Sequence, residues 1–479
     1  MQGLRARFTR AGAATLWGAA SALALYACSG ASNDGTNTAP SGAAGQSGAA
    51  GTPGALPLGG ASGGSGSAAG AGTAGTPVSS GTAGTGGAAG GAGRGGSGGV
   101  AGAGSGGAAG SQMTAGGSGG SGEPVDPGPI DYELDCGPSG EVMEGHGPPS
   151  NRVNYVIVGD GYAQNQLDTL YLEHVRTMLA PRFSPEFEPY ARYRNFVNIC
   201  ALKVPSMQSG ITMSRGNTAF DGYGNDQSRL GYINDQKVNA KIEELLPAEI
   251  EVDWKAVVLN DSSWWNSGGR IMVWSGGHKD AALAAEHEGG HGFQLLADEY
   301  GGNCTYSGTE ARMRVNVTMD KTNTADKWKK WLDFNHTPGT GMQGTFEGAE
   351  YCDRGAFRPS EESVMNMLWD SSYFNAISRE NAVRVIYDMV DPIDSSTAAS
   401  TTTPQVLEVK VIDPAVLKID WSVDGAIVAA NGGATFDVAA RGLAAGSHDI
   451  SARAYDDIDW VRGDRAKLEQ IVQWKIQVP

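Results

Sequence analysis

Residues 281–300 read Ala281-Ala-Leu-Ala-Ala-Glu-His287-Glu288-Gly-Gly-His291-Gly-Phe-Gln-Leu-Leu-Ala-Asp298-Glu299-Tyr300. The small helix formers at the start of this stretch predict a buried helix packed close to its neighbours. On such a helix His287 and His291 are four residues apart and share a face, so both imidazoles can reach one Zn2+ at about 2.0–2.1 Å. Glu288 sits beside that metal without ligating it, placed to take a proton from a water whose pKa zinc lowers towards roughly 7. That is the chemistry of amide or ester hydrolysis. Gly289 and Gly290 each cost a helix roughly 1 kcal/mol relative to alanine, so metal ligation or a close approach at the helix surface must offset them.

Two histidines need a third protein ligand, which leaves the fourth position for water. Asp298 and Glu299 are the nearest candidates, with Glu347 and Glu350 as more distant ones. On an unbroken helix Asp298 would lie about 10 Å along the axis from His291. The chain must therefore turn back after His291, and Gly292 supplies only part of the means. The acid that does not ligate is expected to orient a histidine.

Upstream, apolar strands alternate with amphipathic helices. Strands are predicted at 155–158, 196–204, 256–259 and 271–274, and helices over 167–179, stopped by Pro181, and over 236–246. This is an α/β (α+β) order with a mixed sheet. Asp160, in a Gly-Asp-Gly turn, reads as structural. Tyr300, Tyr351 and Tyr373 are candidates to donate to a tetrahedral oxyanion, with plain packing as the competing reading. His174 and His278 read as solvated or satisfied surface groups, and Trp264-Trp265 as a cleft wall or as part of the buried sheet.

After Asp391 a Ser/Thr/Ala linker at 395–404 precedes candidate strands at 407–412, 417–423, 434–438, 448–455 and 469–478. Turns at Asp424-Gly425 and Asn431-Gly432 between them point to a small C-terminal all-β sandwich of immunoglobulin type over 405–479. It carries no catalytic constellation.

Glycine supplies 72 of the 479 residues, and nearly all of the excess lies between Ser29 and Gly122. That Gly/Ala/Ser/Thr stretch cannot bury enough apolar surface to offset its ordering entropy, and it lacks the every-third glycine of collagen. Residues 29–130 are thus expected to form a disordered tether, about 100 residues with a reach of roughly 55 Å. The formal net charge of -17 argues against a nucleic-acid partner. No apolar run of bilayer-spanning length occurs beyond the N-terminus.

Residues 1–28 read as an export signal, with Arg5, Arg7 and Arg10 before a small apolar run. The ending Leu25-Tyr26-Ala27-Cys28 resembles a bacterial lipoprotein signal, which implies acylation of Cys28 and a membrane anchor. Ser29 after that cysteine favours an outer-membrane address, facing the periplasm or the cell surface. The other four cysteines, Cys136, Cys200, Cys304 and Cys352, are an even number in an exported chain, where disulfides persist. Of three pairings, Cys304 with Cys352 and Cys136 with Cys200 are expected, because the first closes a loop beside the metal site. Closing that loop stabilises the fold by about 4 kcal/mol in the chain-entropy model.

His-Glu-x-Gly-His followed by Leu-Ala-Asp-Glu-Tyr resembles the IgA-peptidase-type zinc metallopeptidases, exported bacterial enzymes with a zincin catalytic domain. The likeness covers roughly residues 153–391 and includes Val158-Gly-Asp160-Gly161-Tyr162, Asn217-Thr-Ala-Phe-Asp221 and Arg358-Pro-Ser before Ser363-Val-Met365. It implies an endopeptidase of protein or peptide substrates, with His287, His291 and Asp298 as zinc ligands and Glu288 as general base, over a catalytic domain of residues 131–394. Met365 or Met367 would form the methionine turn found under the metal in related zincins, or be plain core. Those relatives that turn their helix on a glycine carry it where Gln294 stands here. Two rival expectations remain: an inactive surface adhesin on the same fold, or a zinc hydrolase of a small amide or a peptidoglycan cross-bridge.

Overall fold

The computed structural model describes residues 132–479 apart from 185–186, 323–326 and 367–372. The export signal with Cys28, the tether and Met367 lie outside the described residues. In chain order the first elements are β1 (Gly140–Glu144), β2 (Val153–Asp160), α1 (Leu172–Arg182), β3 (Val197–Leu202), β4 (Tyr223–Asn225), β5 (Leu230–Tyr232), α2 (Asp235–Leu245), β6 (Trp254–Leu259), β7 (Met272–Ser275) and α3 (Ala281–Gly292).

A five-stranded mixed sheet runs in the order β1-β3-β2-β6-β7. β1 is antiparallel to β3, and the other neighbours are parallel. Every residue of β2 is buried, as expected of a parallel strand covered on both faces. Its side chains alternate between two cores. Tyr155 and Ile157 pack with α1 and α3, whereas Val156 and Val158 pack with Val238 and Ile242 of α2. The Cys136–Cys200 disulfide ties the segment before β1 to β3.

Local chemistry sets the helix ends. Asn234 caps α2 through a bond from the Lys237 N–H, and the helix ends before Pro247. Pro181 does not stop α1 as the sequence suggested: the helix runs to Arg182 and opens at Leu172, after a π-helical turn at Leu167–Tyr171. Carrying α1 through Pro181 places Arg182 in the core. There it pairs with Glu286 at 3.3 Å and lies over the Trp254 ring, 4.6 Å from its centroid. Both side chains are buried, so removing either one strands a charge at a cost of about 3–5 kcal/mol. The ion pair locks α1 to the turn of α3 that carries His287.

The later elements are β8 (Asn335–His336), β9 (Gly341–Met342), β10 (Phe346–Ala349), β11 (Cys352–Arg358), α4 (Ala376–Met389), β12 (Ile393–Ser396), β13 (Val406–Val411), β14 (Lys418–Val423), β15 (Ala426–Ala429), β16 (Thr435–Asp437), β17 (Gly446–Tyr455) and β18 (Glu469–Val478). The last seven strands form two antiparallel sheets, β12-β13-β16 and β15-β14-β17-β18. Trp421 of one stacks on Phe436 of the other with ring centroids 5.1 Å apart.

β12 begins before residue 395 and takes the first two positions of the expected linker into a strand. The apolar core is continuous from Tyr155 and Trp274 through Val390 and Ile393 to Leu407 and Trp421. Buried polar links join the same parts. Arg152 holds Asp394 through two bonds of 2.7 and 2.8 Å. Asp456 accepts from Arg192, Tyr193 and Tyr387 at 2.8, 2.5 and 3.0 Å.

Candidate metal centre

α3 lies close to its neighbours because its glycines admit them. A Cβ on Gly290 would come within 2.4 Å of the Met365 sulfur, and one on Gly289 within 3.1 Å of the Trp254 ring. The helical cost of the pair is thus offset by close approach, with buried Met365 packed directly against the helix between the two histidines.

The reversal after His291 uses a residue the sequence did not flag. Leu295 adopts a left-handed conformation at φ 57°, and the Leu296 N–H returns to the Gly290 carbonyl at 2.9 Å. The helix thus closes with leucine in the left-handed position usually held by glycine. The same turn aims the Leu296 carbonyl at His291, whose Nδ1 lies 3.0 Å away. Gln294 takes no part in the turn through its side chain, which donates to the Tyr190 hydroxyl at 2.9 Å.

Beyond the turn Asp298 comes back to the helix. Its Oδ1 is 3.1 Å from His287 Nε2 and 3.2 Å from His291 Nε2, and the two Nε2 atoms are 3.2 Å apart. His287 Nδ1 faces the Val364 carbonyl at 2.9 Å. A carbonyl oxygen only accepts, so both Nδ1 atoms carry a hydrogen, and each ring turns its Nε2, the position left to bind a metal, towards Asp298 Oδ1. Three lone-pair atoms facing one another repel unless a cation lies among them. A tetrahedral zinc site with bonds of about 2.0–2.1 Å has edges of about 3.3–3.4 Å, close to the triangle seen here. The donor set therefore fits the expected metal.

Electrostatics say the same of the metal-free site. Burial opposes ionisation of Asp298, but the facing imidazoles outweigh it and hold the carboxyl well below the usual range. Burial likewise opposes charge on His291, yet Asp298 outweighs it and pushes the pKa up to about 9. A proton stands in for the cation.

Glu299 is turned away from this triangle. Its carboxylate accepts from Asn316, Ser363 and Asn375 at 2.6–2.9 Å and is fully buried. Its backbone N–H bonds the Met365 carbonyl at 2.8 Å. Glu299 thus fixes residues 363–365, and with them the Val364 carbonyl that orients His287. Asn316 also brackets Ala297 through both its amide groups at 2.9 Å. Asn316 and Asn375 were missed from sequence, where no spacing marks them. Ser363 stood in a quoted motif without an assigned role.

Glu288 is buried beside the triangle. A Cβ on Gly268 would meet its Oε2 at 2.8 Å and the His291 side chain at 2.7 Å, so residue 268 brings bare backbone to the mouth of the site. From there the chain runs back along edge strand β7, where Ser267 bridges Val273, to Trp265 and Trp264. These two indoles line a cavity of about 380 Å3 with Asp226, Arg229 and His278. Trp265 is buried and its indole N–H donates to Asp226 at 2.8 Å.

The remaining sequence candidates separate clearly. Tyr351 reaches the site, where its hydroxyl donates to Asp298 Oδ2. The Tyr300 ring lies against it with centroids 5.2 Å apart, while the Tyr373 ring lies against His336. Glu347 turns to the Gly355 N–H at 3.0 Å. Glu350 follows Asp298 by backbone, its N–H on the Asp298 carbonyl at 3.1 Å, and burial followed by the Asp298 charge raises its pKa. Cys304 and Cys352 form the disulfide next to Tyr351. Asp160 is saturated by Gly161, Phe220 and Gly222 N–H groups and by the Ser206 and Thr218 hydroxyls, at 2.8–3.3 Å. His174 bonds Tyr162 at 2.7 Å, and His278 accepts from the Asp280 N–H at 3.1 Å.

A mixed α/β body that brings two helix-borne histidines and an aspartate together beside a buried glutamate has the form of a metallopeptidase domain. Residues 142–340 match the family model described as IgA Peptidase M64, which supports a place for this stretch among the IgA-peptidase-type metallopeptidases. No curated protein matches the chain.

Proposed function

We propose that this protein is a zinc-dependent endopeptidase of the bacterial cell surface. The observation that carries this reading is the triangle of His287 Nε2, His291 Nε2 and Asp298 Oδ1, with edges of 3.1–3.2 Å, set beside Glu288 in a family of peptidases. Bound there, zinc supplies Lewis-acid polarisation of a carbonyl and an acidified water. Glu288 takes the proton of the attacking water and passes it to the leaving amine. Val364 and Leu296 keep both imidazoles in the tautomer that offers Nε2, and the Asp298 carboxylate would offset part of the cation's charge. The segment at 264–268, which covers the edge of β7 through the Ser267–Val273 bridge, would bring the bare backbone of Gly268 alongside an extended peptide, with the Trp264-Trp265 cavity taking one of its side chains.

The finer features follow from the same reading. We take the α/β body as zincin-like, with Met365 as its methionine turn, and the two C-terminal sheets as an immunoglobulin-like sandwich that stiffens the body through Asp394 and Asp456. Export and acylation at Cys28 would place it on a membrane with the glycine-rich stretch as spacer. A test is zinc content and cleavage of a mixed peptide library by the full chain beside Glu288→Ala. The expected result is about one zinc per chain in both, with kcat reduced roughly 10²–10⁴-fold in the variant. A wild type that holds zinc but cuts no peptide would instead support the small-substrate or adhesin alternative.

A further inference from the structure

We propose that Tyr351 is a positioning residue for the metal centre, holding Asp298 in its ligating orientation, and that the hairpin β10–β11, closed by Cys304–Cys352, is the clamp that delivers it. The inference rests on the zinc reading of the site. Tyr351 and Cys352 lie beyond the 142–340 match to the family model.

Asp298 uses its two oxygens differently. Oδ1 faces the imidazoles, and Oδ2 accepts from the Tyr351 hydroxyl. A carboxylate pinned at one oxygen cannot rotate about its Cβ–Cγ bond, so it offers a single, fixed ligand atom. The backbone reinforces this, because the Glu350 N–H bonds the Asp298 carbonyl and the Tyr351 N–H bonds the Tyr300 carbonyl, both at 3.1 Å. Residues 298–300 and 350–351 are thereby held side by side.

The turn itself is unusual for its sequence. Ala349 pairs with Cys352, leaving Glu350 and Tyr351 as a two-residue loop with φ of 53° and 63°. Such loops favour Asn-Gly, because both residues must be left-handed. A tyrosine at the second position is conformationally costly, and strain of this kind collects at functional sites. What the conformation achieves is to swing the phenol onto Asp298. The next residue, Cys352, is bonded to Cys304, four positions after Tyr300, so the disulfide fastens the strained turn to the segment that carries the ligand.

The test compares zinc affinity of the full-length wild type, Tyr351→Phe and the Cys304→Ser/Cys352→Ser pair, by competition with a chromophoric chelator. Thermal unfolding of each metal-free protein is followed in parallel. Loss of an outer partner of a metal ligand weakens metal binding roughly 10–100-fold, and that loss is expected for Tyr351→Phe while its metal-free unfolding midpoint stays near that of the wild type. The cysteine pair, which keeps the phenol but frees the turn, is expected to lose roughly tenfold. Wild-type affinity in Tyr351→Phe would overturn the positioning role alone. A wild type that binds no zinc would overturn the zinc reading and the positioning role together.

Discussion

Asp160 and Asp298 are both buried aspartates of the α/β body, and they have opposite surroundings. Five protein donors saturate Asp160 at the end of β2, and burial still leaves its pKa raised. Asp298 has one oxygen on Tyr351 and the other against two imidazole nitrogens, where no protein hydrogen bond satisfies it. Its pKa is held down. The first carboxylate completes a loop made of the Gly-Asp-Gly turn and residues 217–222. The second is complete only with a positive charge between it and the imidazoles, a proton on His291 in the metal-free chain or a cation bound in its place. A buried acid is thus read by its donors, and burial alone does not separate scaffold from site.

The comparison breaks most visibly when metal is withdrawn. A cation that binds only the folded chain at 1,000 times its dissociation constant stabilises it by about 4 kcal/mol. Calorimetry with and without chelator should show that gap in the wild type and in Asp160→Asn, and no gap in Asp298→Asn. The reciprocal effect is next in size. Asp160→Asn turns an amide N–H2 towards backbone donors and should lower the metal-free stability by about 3 kcal/mol. Urea unfolding would show it, with zinc affinity of the folded fraction changed only a few-fold.

Titration sharpens the contrast further. In the metal-free protein the raised His291 pKa contributes stability that is fully present below its unfolded value of about 6.5 and is lost as the pH rises through about 9. The depressed Asp298 pKa contributes stability present above the usual carboxylate range and lost as the pH falls through its folded value. Unfolding midpoints measured in chelator should therefore decline from pH 6.5 to 9, and Asp298→Asn should flatten that slope. Zinc affinity should run the other way, weakening as the pH falls and protons compete. The smallest effect concerns the turn that delivers Asp298. Leu295→Gly removes a left-handed penalty of about 1 kcal/mol from a half-exposed side chain, and a small rise in the unfolding midpoint with unchanged zinc affinity is expected.

The same contrast explains what was legible in the sequence. The strands around Val156, Val257 and Val273 and the helix through Val238 and Ile242 were visible because their signal is local periodicity. The His287, Glu288 and His291 spacing is equally local, one helical turn. Asp298 could be named only as a candidate, because its approach depends on Leu295 adopting a conformation that leucine disfavours. The glycine pair in α3 looked like a defect until Met365, remote in sequence, filled the space above Gly290. The Glu299 cluster joins Asn316, Ser363 and Asn375 across long sequence separations, and no pattern in one sequence records such contacts. α4, β12, β15 and the hairpin β10–β11 were not anticipated. The hairpin lacks the Asn-Gly signal that would have marked its turn.

The central claim is that His287, His291 and Asp298 hold one zinc ion. Crystals of the full chain grown with one equivalent of zinc, with diffraction recorded on both sides of the zinc absorption edge, test it most directly. The account predicts a single strong anomalous peak about 2.0–2.1 Å from the two Nε2 atoms and from Asp298 Oδ1. An empty triangle, with zinc bound elsewhere or nowhere, would contradict it.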